Sequence, residues 1–442
     1  MEMSQSLRME DIQQFRADYE GSTLSKIMTR AASKTDVKDI CYDTEHAKKM
    51  NHKFSVDIPT LPATNQKASG RCWIFSSLNI LREKVAKELN LEDFELSQNF
   101  IAFYDHLEKA NSFLEHIIET AAQPTDDRYL SKILADPVGD GGWWEFFIGV
   151  CQKYGVVPKD AMPETHHSSN SASMNMVLNM QLREDAMVLR RALAEGKDVA
   201  AVRSMKKEML SRAYNIIAIC LGNPPETFDF EYVDKDKKYH ADRGLTPRAF
   251  YDKYVARSIE NIVSLLNAPT PTKPFNRTYV IEHEESVYGT NPVKSLNVPM
   301  DQFKAAVIRQ LQAGDLIWFS CDCFPYGNRD EGIWDTGLYD YATPFGLDLQ
   351  MTKGEMLEYH QSAPNHAMVL TGVNLVDGKP DKWKIQNSWG TEKADKGYFI
   401  MSDDWFDKYV YFASIDKQYL TEEQRALYEQ EPIVLPSWDV LA

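Results

Sequence analysis

Cysteine is scarce in this 442-residue chain: Cys41, Cys72, Cys151, Cys220, Cys321 and Cys323 are scattered rather than arrayed. That spacing excludes the disulfide framework of a small secreted domain and fits a reducing compartment. Basic residues are also few, 49 Lys and Arg against 65 Asp and Glu, for a net charge of −16. Broad nucleic-acid binding needs clustered cations, so no nucleic-acid partner is expected. No apolar run approaches the ~20 residues of a membrane span, and Met1 to Arg8 lacks the apolar core of a signal peptide. A soluble cytoplasmic protein without a membrane partner is expected. Metal-ligand spacing is missing as well. Cys321-Asp322-Cys323 has no second pair to complete a zinc set, and the adjacent His166 and His167 project differently with no carboxylate cluster nearby. Neither a metal nor a cofactor is expected.

What is present is a large apolar content, 43%, enough for two or three subdomains. Asn65 to Ser77, Asn-Gln-Lys-Ala-Ser-Gly-Arg-Cys-Trp-Ile-Phe-Ser-Ser, reads as a turn feeding a buried helix, since Trp73, Ile74, Phe75, Leu78, Ile80 and Leu81 follow at roughly helical spacing. Cys72 then falls in the first helical turn, where unpaired N–H groups and the helix dipole favour a thiolate. A cysteine beside Trp and Phe is equally an ordinary small core residue, so its partners decide. Near the other end of the chain, His366 stands at the mouth of the apolar strand Ala367 to Val373, and Asn387-Ser388-Trp389-Gly390 closes the next strand. Nucleophile, base and orienting amide need closeness in space, which strands and a helix start can hold.

These blocks together resemble the papain superfamily. The wording around Cys72, with Gln66 six residues before it, is similar to the aminopeptidase C and bleomycin hydrolase branch. Gly139-Asp140-Gly141-Gly142-Trp143-Trp144, Tyr154-Gly155-Val156-Val157-Pro158 and Leu435-Pro436-Ser437-Trp438-Asp439 look like that branch too. The resemblance implies an α+β, papain-like two-lobe fold, a helical lobe plus a β-barrel-like lobe, with a large helical insertion and N- and C-terminal arms. It also implies a homohexamer with active sites facing an inner cavity.

Along the chain, residues 1–60 read as an N-terminal arm with Ile12, Phe15 and Tyr19 at helical spacing, and 61–165 as the helical lobe. That lobe holds the nucleophile, with further helices expected around Asn99 to Leu107 and Phe113 to Thr120. Gly139 to Gly142 form a turn open enough to lie against a peptide, while Trp143 and Trp144 read as packing. Residues 166–275 form an insertion: a polar loop at His166 to Ser171, helices near 173–195 and 198–220, a hairpin within Phe228 to Tyr239, and a helix opened by Thr246-Pro247. Residues 276–425 form the β-rich lobe, and 426–442 an extended C-terminal arm rich in proline and apolar residues.

The expected activity is peptide hydrolysis through Cys72, His366 and Asn387. The amide of Gln66 and the N–H of Cys72 would serve the oxyanion, Gly141 and Gly142 the peptide, and Trp389 would shield the His–Asn bond. By resemblance, the carboxylate of Ala442 meets the free amino group of the substrate and makes the enzyme an aminopeptidase. Only Val440, Leu441 and Ala442 follow Trp438-Asp439 here, fewer than is usual in relatives, which leaves an endopeptidase or oligopeptidase as the alternative. An acyltransferase or amidase using the same thiolate, or a non-catalytic scaffold, are more distant readings.

Overall fold

The structure, a computed structural model, describes residues 6–290 and 292–442. The expectations for residues 1–5 lie outside the described residues. Helix Cys72–Glu88 is buried nearly all round from Trp73 to Arg82, its apolar Trp73, Ile74, Phe75, Leu78 and Leu81 and also its polar Ser76, Ser77 and Asn79. Such a helix needs neighbours on every side. It packs against helices Gln98–Glu119 and Trp144–Tyr154 and against strand His366–Val376. The two helices expected near 99–107 and 113–120 are one, Gln98–Glu119, capped by Ser97, whose hydroxyl accepts from the Phe100 N–H at 3.1 Å. The polar stretch at Lys109 to Ser112 is not a break: Lys109 and Ser112 face the cleft and the helix runs through.

Two antiparallel helices, Ala172–Ala194 and Val199–Leu221, pack on that same helix. They match the periodicity of the insertion to within a residue. The second ends at Gly222, whose φ of +88° suits glycine. His166-His167 is a correction: Thr165 caps a short helix, His166–Ser169, instead of a loop. The hairpin pairs Phe228–Val233 with Tyr239–Leu245 and so runs further than expected. Thr246 caps the following helix, accepting from the Ala249 N–H at 3.1 Å, with Pro247 as its first residue.

The other lobe is a mixed sheet. From one edge it runs Ile433–Leu435, Arg277–Ile281, Lys294–Asn297, Ile262–Leu266, Val410–Asp416, Ile317–Cys321, His366–Val376, Lys379–Gln386, Tyr398–Ser402, Ile333–Trp334 and Gly327–Asn328. The His366 strand is therefore central, antiparallel to Ile317–Cys321 on one side and to Lys379–Gln386 on the other. Val56–Asp57 extends it at Gly372 and Val373. Met9–Gly21 and Thr23–Ala32 bury no side chain, and the arm is first anchored at the buried Cys41. The C-terminal arm docks as a parallel strand beside Tyr279–Ile281.

Candidate active site

Cys72 is the first residue of its helix, so its N–H has no intrahelical partner. The turn before it is tied down by charge. The guanidinium of Arg71 is buried and donates to both oxygens of Glu164, at 3.1 and 2.6 Å. Asp140 accepts from the Gly70 N–H at 2.7 Å and from Asn175 Nδ2 at 2.7 Å, and takes further bonds from Ser171 and His106. Burial opposes ionisation of Asp140, but those donors outweigh it and hold the carboxyl well below the usual range. The Trp73 indole N–H donates to the Asp140 carbonyl at 2.7 Å. Gly142 lies flat on that indole: a Cβ there would stand 2.6 Å from the ring.

His366 opens the central strand of the opposite lobe. Its Nε2 donates to Asn387 Oδ1 at 2.9 Å, which fixes the tautomer and leaves Nδ1 on the far edge of the ring. The same oxygen accepts the Ser388 N–H at 2.8 Å, so the amide cannot swing away. Trp389 stacks on the imidazole at 5.0 Å, and Arg329 lies over the other ring at 4.7 Å. Trp389, expected to shield the His–Asn bond, therefore lies against the imidazole face. Across the lobe boundary, the Ala367 N–H donates to Cys72 Sγ at 3.4 Å, and Ser76 Oγ donates to the Ala367 carbonyl at 2.9 Å. Cys72 and His366 line one cavity of about 450 Å³.

The electrostatics differ from the expectation drawn from the helix start alone. Burial pushes the Cys72 thiol up, against the N–H groups of Ala367, Trp73 and Cys72 that favour the thiolate. Burial likewise pushes His366 down to about 4, against the bond to Asn387. A lone charge on either buried group is costly. Passing the proton from sulfur to imidazole creates both charges together, and their attraction offsets the desolvation.

Gln66 is buried, its Oε1 accepting from Ser388 Oγ and its Nε2 donating to the Ser69 carbonyl, both at 2.6 Å. One amide hydrogen remains. Gly141, Gly142 and Ala442 all line the cavity with Cys72. Trp143 packs edge-on against Phe412, as its reading as packing expected, and also lines the cavity, while Trp144 is buried. Sequence reasoning passed over Lys109, whose Nζ donates to the carbonyls of Gly139 and Gly141, and Asp140, which braces the nucleophile turn. A polar residue in an apolar helix was the available signal for Lys109. Asp140 had none beyond its place between glycines.

A cysteine at a helix start, facing a His–Asn pair across a cleft between a helical and a sheet lobe, defines a papain-like cysteine peptidase. The chain belongs to the peptidase C1-like family, which it matches over residues 6–442. It is 40% identical to aminopeptidase C of Lactobacillus delbrueckii subsp. lactis, covering 99% of this chain and 98% of that protein. It is 42% identical to aminopeptidase C of Streptococcus thermophilus, covering 98% of each. A crystal structure described as pepw from Lactobacillus rhamnosis superposes with a TM-score of 0.97 at 42% identity, covering 99% of both chains.

Proposed function

We propose that this chain hydrolyses peptides through Cys72, His366 and Asn387 and acts as an aminopeptidase. The sulfur gives its proton to His366, and the thiolate attacks the scissile carbonyl. The Cys72 N–H and the remaining amide hydrogen of Gln66 receive the oxyanion. His366 protonates the leaving amine, a thioester forms on Cys72, and water deprotonated by His366 releases the acid. Asn387 holds the ring through both transfers. The observation that carries this reading is the shared cavity of Cys72 and the Asn387-bonded His366.

The presence of Ala442 in that cavity, with relatives named aminopeptidase C, supports removal of amino-terminal residues. Cleavage at internal bonds is the second reading. Peptides with free and acetylated amino termini separate the two: an aminopeptidase cuts only the free ones, and equal cleavage of both at internal bonds establishes the endopeptidase.

Assembly as a homohexamer is part of the proposal. Ile12, Phe15, Leu24 and Ile27 on the arm and Met176, Met180 and Ile219 on the insertion are exposed apolar side chains that a subunit interface would cover. A cytoplasmic location rests on the scattered cysteines, all of them free. Among the described residues no helix is long and apolar enough to cross a membrane.

A further inference from the structure

Gly141, Gly142 and Ala442 line the cavity beside Cys72 and would face the part of a peptide upstream of the cut. The downstream part begins at the imidazole of His366, because that ring hands its proton to the leaving nitrogen. Two features continue from the ring. Trp389 stacks on it at 5.0 Å, and the guanidinium of Arg329 stands 4.7 Å from the Trp389 ring and 5.5 Å from the ring of Phe324. Asn365, the residue before His366, lines the catalytic cavity and also a second one of about 640 Å³, which Phe324, Lys38 and His360 line with it. The cleft therefore runs on from His366 towards Phe324.

Arg329 is an exposed cation without a counter-ion. Among the described residues no carboxylate pairs with it, and the two acids that follow it in sequence are engaged, Asp330 by Lys393 and Glu331 by the Tyr42 hydroxyl. Asp322, the acid of the second cavity, is occupied as well: it accepts from Ser362 Oγ at 2.8 Å, Asn365 Nδ2 at 2.6 Å and the Phe324 N–H at 3.2 Å. Aromatic rings hold a guanidinium by its charge and its flat face, which leaves its N–H groups free to donate to a carboxylate as a pair. Phe324, an exposed apolar ring beside the cleft, completes the platform.

We propose that Arg329, on its platform of Trp389 and Phe324, is a subsite for a carboxylate of the peptide downstream of the scissile bond. The proposal rests on the peptidase reading and adds the class of substrate to it. The carboxylate belongs either to an Asp or Glu side chain or to the free carboxyl terminus of a short peptide. The charge of Arg329 also reaches His366 and opposes its protonation. A carboxylate bound there offsets that charge as the imidazole takes up its proton.

The test measures kcat/KM on peptides carrying Glu or Gln at successive positions after the cut, each with a free and an amidated carboxyl terminus. Cleavage of the amidated Gln peptide by the wild type and not by Cys72→Ala checks the peptidase reading separately. At one position or at the terminus, the wild type should prefer the carboxylate about tenfold. In Arg329→Gln that ratio should fall towards one, and Arg329→Glu should favour a Lys-bearing peptide instead. A fall in the Glu-to-Gln ratio assigns a side chain, and a fall in the free-to-amidated ratio assigns the carboxyl terminus. Stoichiometric alkylation of Cys72 verifies the fold of each variant. Should neither variant fold, the wild-type ratios decide. The proposal is overturned by a wild type indifferent to both carboxylates, or by ratios that Arg329→Gln leaves unchanged.

Discussion

Replacing Cys72 or His366 by alanine should each remove nearly all turnover while the fold persists, because both supply the chemistry and each truncation removes only a few contacts from a helix and strand held by many others. Asn387→Ala should leave a reduced rate, since it orients the ring without touching substrate. Gln66→Ala should lower kcat by about 10²-fold, the usual loss of one oxyanion donor. Steady-state kinetics with circular dichroism of each variant checks all four. A second residue prediction concerns pH. Glu145, at the start of its helix, accepts a bond from Ser264 Oγ at 2.5 Å, and burial raises its carboxyl to about 7. A carboxyl whose folded value lies above its unfolded one stabilises the protein at low pH and loses that contribution as pH rises through 7. Glu145→Gln should therefore gain stability over the wild type between pH 5 and pH 8, by at most about 3 kcal/mol. Parallel unfolding curves for the two proteins at both pH values would count against it. Cys72, His366 and Asn387 of the candidate site stood out at this scale because each sits in a distinctive string. The groups that brace them did not: Ser388 reaches Gln66 and Asp140 reaches Gly70 only after the chain has folded.

Among elements, the long helices of the insertion were readable from their apolar period, and the second also from its Asp198 cap and Gly222 end. Helix Gln98–Glu119 was read as two because its cleft face carries Lys109 and Ser112. Strands Ile262–Leu266 and Val410–Asp416 are buried on both faces, so no alternation marks them. Of the C-terminal arm expected to be extended, Ile433–Leu435 is a strand, whereas 426–428 belong to helix Glu422–Tyr428 and 437–441 form turns; the fastening of the arm was invisible in the sequence. Lys273 and Asp439 form a pair at 2.8 Å with Lys273 buried, and Arg128 stacks over Trp438 at 4.7 Å. Asp439→Ala should leave the Lys273 ammonium buried and unpaired, costing about 3 kcal/mol. Urea unfolding measures it, and a loss below about 0.5 kcal/mol would assign the pair to the solvated surface instead.

For the whole molecule, the proposed homohexamer would cover the exposed apolar side chains of the arm and insertion, and light scattering at micromolar concentration should then return about 300 kDa from copies of 50.7 kDa. A mass near one copy would contradict it. The two lobes form one active cleft only because Cys72 is carried on the central helix of one and His366 on the central strand of the other. The most direct measurement of what that cleft does is a time course of a peptide library by mass spectrometry, run with the wild type and with Cys72→Ala. The expected result is stepwise loss of residues from free amino termini by the wild type alone. Equal hydrolysis by Cys72→Ala would contradict the peptidase assignment, and internal cuts with amino termini intact would contradict the aminopeptidase.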